Sequence, residues 1–196
     1  MPLKIREVPP RVMETFQSAI GQGMSEAFTI MAPGPRALAD LPPPHPVYYL
    51  SLLAIANGSG LQGAVQTGWR QVADVRGEIH AIRLDVIGGR VFNLCGEHMI
   101  GEREQRVFDV RRVETALSAE QPTFEFRKLW IPPMISSALW LSTPDPAQDL
   151  IIPVESTLSN LAAEQTYNAN QLLAQLRDIA VELLETMPEL PRAESQ

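Results

Sequence analysis

Residues 69–98 read "WRQVADVRGEIHAIRLDVIGGRVFNLCGEH". Apolar and β-branched residues alternate with polar ones, and two glycine-containing dipeptides, Arg76-Gly77 and Gly88-Gly89, interrupt the run. A two-residue hairpin turn needs positive φ at its centre, which glycine adopts without steric conflict. The stretch therefore predicts three antiparallel strands, near 69–75, 78–87 and 90–96, and a further strand is expected to reach toward Phe108.

A turn at Gly88-Gly89 sets Ile87 opposite Arg90 and Val86 opposite Val91. Continued without interruption, that register places Leu84 opposite Asn93, Ile82 opposite Cys95 and His80 opposite Glu97. Opposed residues of an antiparallel pair share a face. A similar turn at Arg76-Gly77 brings Trp69, Gln71 and Ala73 to the same side. The candidate ligand pocket is thus a sheet face carrying Trp69, Gln71, His80, Asn93, Cys95 and Glu97. In principle a carboxylate orients an imidazole, and an imidazole lowers the pKa of a thiol. The plainer reading has Cys95 as a small buried hydrophobe and His80–Glu97 as a hydrogen bond at the rim, and it weighs more, since free cysteines are among the most buried residues. Cys95 and His98 have the spacing of zinc ligands, but no CxxC or HxxxH pattern completes a set. No catalytic residue, metal or cofactor is assigned.

Outward from this block, "RVMETFQSAI" (11–20) puts Val12, Met13, Phe16, Ala19 and Ile20 on one helical face, with Pro10 fit for the first helical position. Six prolines fall between Pro33 and Pro46, where a regular element cannot run. The apolar run "PVYYLSLLAIAN" (46–57) is read as a buried helix stopped at Asn57-Gly58, with a core strand as the alternative that periodicity does not separate, and "NGSGLQG" (57–63) as a loop without the lysine of a phosphate-binding loop. "DVRRVETALS" predicts a helix capped by Asp109. Strands follow at 123–132, 136–142 and 149–154, with Pro132-Pro133 ending the first of them or bending it at an edge. "NQLLAQLRDIAVELLETM" (170–187) carries Leu172, Leu173, Leu176, Ile179, Ala180, Leu183, Leu184 and Met187 at helical spacing.

Segregated hairpins with helices between them predict an α+β fold: an antiparallel sheet, flat or curved, with helices packed on one face and a proline-rich connector to an N-terminal helix. The expected organisation is a helical arm at 1–32, the connector at 33–46, the α+β domain at 47–187 and a flexible tail at 188–196.

Hydrophobic residues make up 45% of the 196-residue chain, enough for a sizeable core. The formal charge of −7 argues against nucleic acid and against an anionic membrane surface as partners, since both need concentrated positive charge. "REQRVFDVRR" is the local exception. Arg103, Arg106, Arg111 and Arg112 interleave there with Glu102, Glu104, Asp109 and Glu114, which reads as a solvated mixed-charge face or, more sharply, as an anion-binding patch. A single cysteine fits a reducing compartment, and no apolar leader opens the chain, so the expectation is a soluble cytoplasmic protein. No motif fixes a reaction. The functional expectation is a non-enzymatic binding or assembly module whose partner is another protein or a second copy in a homodimer. The alternative is a small-molecule-binding protein or enzyme using the sheet face around His80, Cys95 and Glu97.

Overall fold

The computed structural model describes residues 3–21, 44–75, 78–87, 90–117 and 121–187, and for residues 19–21, 73–75, 78, 87 and 92–99 the backbone alone. In chain order the elements begin with β1 (Leu3–Lys4), α1 (Pro10–Gly21), β2 (His45–Tyr49) and α2 (Leu52–Ala56). Then come β3 (Val65–Val75), β4 (Glu78–Ile87), β5 (Arg90–Met99), α3 (Glu102–Val107) and α4 (Val110–Ala116). The chain continues through β6 (Phe124–Ile131), β7 (Ile135–Ser142), β8 (Leu150–Ser156), β9 (Tyr167–Asn168) and α5 (Ala169–Thr186).

All the strands belong to one open, mixed sheet in the order β5-β4-β3-β2-β6-β7-β8-β9. Two antiparallel meanders lie side by side, each starting at the centre and stepping outward. Their first strands, β2 and β6, meet in a parallel pair at Val47–Lys128, Tyr48–Leu129 and Tyr49–Trp130. β1 also runs parallel to β6, at Leu3–Phe124 and Lys4–Glu125. Because β7 occupies the other side of β6, β1 and β2 lie end to end along one edge of it. The sheet is α+β and mostly antiparallel as expected, with this parallel centre added. No helix among the described residues is long and apolar enough to cross a membrane.

The expectation of helices on a single face is corrected. Successive residues of a strand point to opposite faces. On β7, Ala138 and Trp140 join a core with α2 and α5, while Leu139 and Leu141 join a separate core with Val107, Phe108 and Val113 of the α3–α4 segment. On β6, Leu129 and Ile131 take the first side, Phe124 and Phe126 the second. The apolar character of both faces is why "SSALWLS" shows no clean alternation: a strand covered on both sides reads as a continuous apolar run.

α5 forms where its stripe predicts. Leu172, Leu173, Leu176 and Ala180 are buried, and each leucine contributes about 2 kcal/mol by leaving water. Asn168 caps its start by accepting from the Gln171 amide at 3.2 Å. Buried Asp149 ties this end to the sheet: its carbonyl accepts from the Ala169 amide (2.9 Å), and its carboxylate accepts from Trp140 Nε1 (2.9 Å) and the Thr143 amide (2.7 Å). α4 is capped by Asp109, which accepts from the Arg112 amide at 3.1 Å.

α1 docks on the meander β3–β4, burying Val12 and Phe16 against Trp69, Ile82 and Leu84. The proline-rich connector and the C-terminal tail fall largely or wholly outside the described residues. The run 46–57 is not one helix. Pro46 lies in β2, and the chain turns into α2 only at Ser51, whose hydroxyl accepts from the Ala54 amide at 3.2 Å. The expected stop holds: Gly58, at φ +72°, donates its amide to Ile55 O. The strand expected to reach toward Phe108 is also corrected. β5 ends at Met99 and α3 begins at Glu102, with acidic Glu102 and Glu104 in its first turn and Arg106 in its last, the arrangement a helix dipole favours.

Candidate functional site

The sheet-face candidates occupy β3, β4 and β5. β3 and β4 pair without a break from Gly68–Asp85 to Val75–Glu78, so Trp69, Gln71 and Ala73 stand opposite Leu84, Ile82 and His80, as expected. Gly68 permits this close approach, since a Cβ there would fall 2.1 Å from the Leu84 carbonyl oxygen. Trp69 is buried under α1, Gln71 is buried with its Nε2 donating to Val72 O at 3.1 Å, and His80 is half-buried.

The β4–β5 register is corrected. Ile87–Arg90 and Val86–Val91 pair as the turn dictates, but then β5 gains one residue, and Asp85 stands opposite Asn93. Leu84 pairs with Leu94, Arg83 with Cys95 and Ile82 with Gly96. A second irregularity sets His80 opposite Met99. Each bulge inserts an extra residue on one strand, and a one-residue slip exchanges the faces of everything beyond it. The pairings Leu84–Asn93, Ile82–Cys95 and His80–Glu97 therefore do not form. The side chains of Asn93, Cys95, Glu97 and His98 lie outside the described residues.

A different constellation stands on the opposite face, around α3. Glu104 points toward the sheet and receives Arg70 Nη2 at 2.9 Å, Lys128 Nζ at 3.5 Å and the Ser137 hydroxyl at 2.9 Å. The Arg70 side chain is 0% exposed and Glu104 only 15%. The Arg70 guanidinium also lies 5.1 Å from the Phe108 ring centre, and His45 stacks on the same ring. This is a packed ionic knot. It joins β3, β6 and β7 to α3.

Two residues along the same helix, Arg106 faces outward. Its Nη2 and Nε donate to the two Glu164 carboxylate oxygens at 2.7 and 3.2 Å, a bidentate pair. Arg103 Nε stands 3.7 Å from Glu164, and Glu102 stands 3.7 Å from Arg106. The hydrogen bonds from Arg106 hold the Glu164 carboxyl below the usual carboxylate range, and the charges of Arg106, Arg112 and Arg103 act in the same direction. Glu164 sits at φ +63°, a conformation rarely adopted by residues with a side chain, and its amide donates to Pro153 O at 2.8 Å. Beneath this pair lies a groove of about 250 Å³ between α3–α4 and β7–β8. Val113, Leu117, Leu141, Leu150 and Ile152 line it with aliphatic surface, and Arg106, Arg112 and Glu164 stand at its polar side.

No family model matches this chain, and neither a curated protein nor a solved structure matches it.

The arginine-rich segment was visible in the sequence as a mixed-charge face or an anion patch. The structure divides the segment: Glu104 turns inward into the knot, and Arg103 and Arg106, with Arg112 nearby, meet one carboxylate of the same chain. That carboxylate, Glu164, stands far along the chain in "SNLAAEQTYN", where no local pattern marks it.

Proposed function

We propose that the protein is a non-enzymatic binding module of a reducing compartment such as the cytoplasm, and that the groove between α3–α4 and β7–β8 is its recognition site. The observation that carries this reading is the lining of the groove: an aliphatic floor beside a polar side of arginines and one ion-paired carboxylate. Binding sites are concave, mostly apolar and equipped with a few placed polar groups. A polarity-sensitive dye should bind the native protein saturably, and Leu117→Trp, which adds bulk in the groove, should abolish that binding while leaving the fold intact. A dye signal unaffected by Leu117→Trp would remove the groove from consideration. Turnover of any substrate that is lost in His80→Ala, with the protein still folded, would overturn the non-enzymatic reading in favour of the sheet face.

The assembly side of the proposal rests on α1. Phe16 is buried on β3–β4, and such a contact can close within one chain or between two copies exchanging arms. The contact as it stands closes within one chain, and we propose a homodimer only through such an exchange. Full-length protein that sediments as a monomer across the micromolar range would exclude it.

A further inference from the structure

We infer that the groove binds a small amphipathic monocarboxylate of the straight-chain aliphatic acid class, and that Glu164 occupies the carboxylate position until such a ligand displaces it. The inference rests on the groove being the recognition site and adds the chemistry of its occupant.

The guanidinium cluster is the first ground. Arg106 grips Glu164 through both carboxylate oxygens, Arg103 stands at 3.7 Å, and Arg112 lines the same groove. Three guanidiniums beside Glu164 and, on the outer side, Glu102 leave more cation at the groove than a single structural ion pair requires. The planar fork of Arg106 matches any carboxylate, not Glu164 alone. Glu102 approaches Arg106 from outside at 3.7 Å and is 92% exposed, so it competes weakly.

The backbone of Glu164 is the second. A glutamate at φ +63° is held against its own preference, with the side chain laid over the groove. Unusual backbone conformations of this kind cluster at ligand clamps and switch regions. The pair is also accessible, with Arg106 44% and Glu164 28% exposed. An exposed pair gains little from its Coulomb attraction, so a second carboxylate can exchange with Glu164 at small loss. The incoming ligand then adds the burial of its hydrocarbon body, which Glu164 does not supply.

The groove itself selects the body. Its floor is built from valine, leucine and isoleucine, which suits an alkyl chain. A groove of about 250 Å³ has room for a short alkyl chain. Octanoate is the appropriate probe.

Titration calorimetry of the full chain with octanoate, 1-octanol and octylamine tests the inference. Octanoate should bind at least about tenfold more tightly than either analogue, the factor expected for a charge-assisted hydrogen-bond pair. Arg106→Gln should remove that advantage and leave octanol binding unchanged. Arg106→Lys, which keeps the charge without the fork, should restore only part of it. Glu164→Gln, which removes the competing charge, should tighten octanoate several-fold. Equal binding of octanoate and octanol, insensitive to Arg106→Gln, would overturn the carboxylate inference and leave the groove standing as an apolar site. No binding of any probe by wild type or by Glu164→Gln would overturn the groove and the inference together.

Discussion

Two of the ion pairs on α3, Glu104 with Arg70 and Arg106 with Glu164, are built from residues two positions apart, and they differ in almost every physical respect. Glu104 looks inward to a fully buried arginine, itself set over the Phe108 ring, and is met by Lys128 and Ser137 as well. Arg106 looks outward to a carboxylate that solvent reaches. Taking charges out of water is expensive, and such a pair persists only with good geometry and further hydrogen bonds. At the surface, water screens the same contact and makes it replaceable. A mixed-charge stretch of sequence can thus hold a structural fastening and an exchangeable site on one short helix.

The sharpest test of this contrast is Glu104→Ala. It leaves Arg70 and Lys128 near each other without the carboxylate between them, and should lower stability by about 3 kcal/mol, the lower end for breaking a buried pair. The midpoint of urea unfolding at constant m-value measures it. Ser137→Ala removes one donor to the same carboxylate and should cost about 1 kcal/mol, read in the same way. A loss as large as that from Glu104→Ala would mean that the hydroxyl, rather than the charges, holds the knot. Arg106→Gln should lower the urea midpoint by only a small fraction of the Glu104→Ala shift, and a drop as large as that shift would place the outer pair with the inner one.

The smallest effect concerns pH. The folded-state pKa of Glu164 lies below its unfolded value, so its contribution is complete above the unfolded pKa and is lost as pH falls through the folded one. The stability difference between wild type and Glu164→Gln should be constant above about pH 5 and shrink below about pH 4, bracketing the ordinary glutamate value. A difference that grows on acidification would contradict the assignment of the charge.

Much of the fold was legible because its signals are local. Glycine dipeptides mark both hairpins of β3–β5, Asp109 marks the start of α4, and the leucine spacing of α5 matches its buried side. Register was legible only where something pins it. Gly68 and the contact of Trp69 and Leu84 under α1 hold β3 against β4. β5 is an edge strand with a partner on one side only, and there bulges are readily accommodated. The division of 46–57 into strand and helix carried a faint signal, Ser51 as a cap inside an apolar run. α3 carried a better one in its charge order, acidic at the start and basic at the end. The candidate groove was not legible, because its floor comes from β7, β8 and α4 and its carboxylate from Glu164, and only the packing of distant segments brings them together.

The parallel contact between β2 and β6 also bears on how the protein comes into being. Each meander can assemble from neighbouring segments, but Val47 meets Lys128, and Leu3 meets Phe124, only after most of the chain exists. On a ribosome, β2–β5 emerge first and present the β2 edge unpaired, with its backbone donors and acceptors open to any passing strand. Closure of the sheet waits for β6, and pairings so distant in sequence form slowly. The nascent first half is thus the stage at which this chain is most exposed to aggregation, and arrival of β6 seals it.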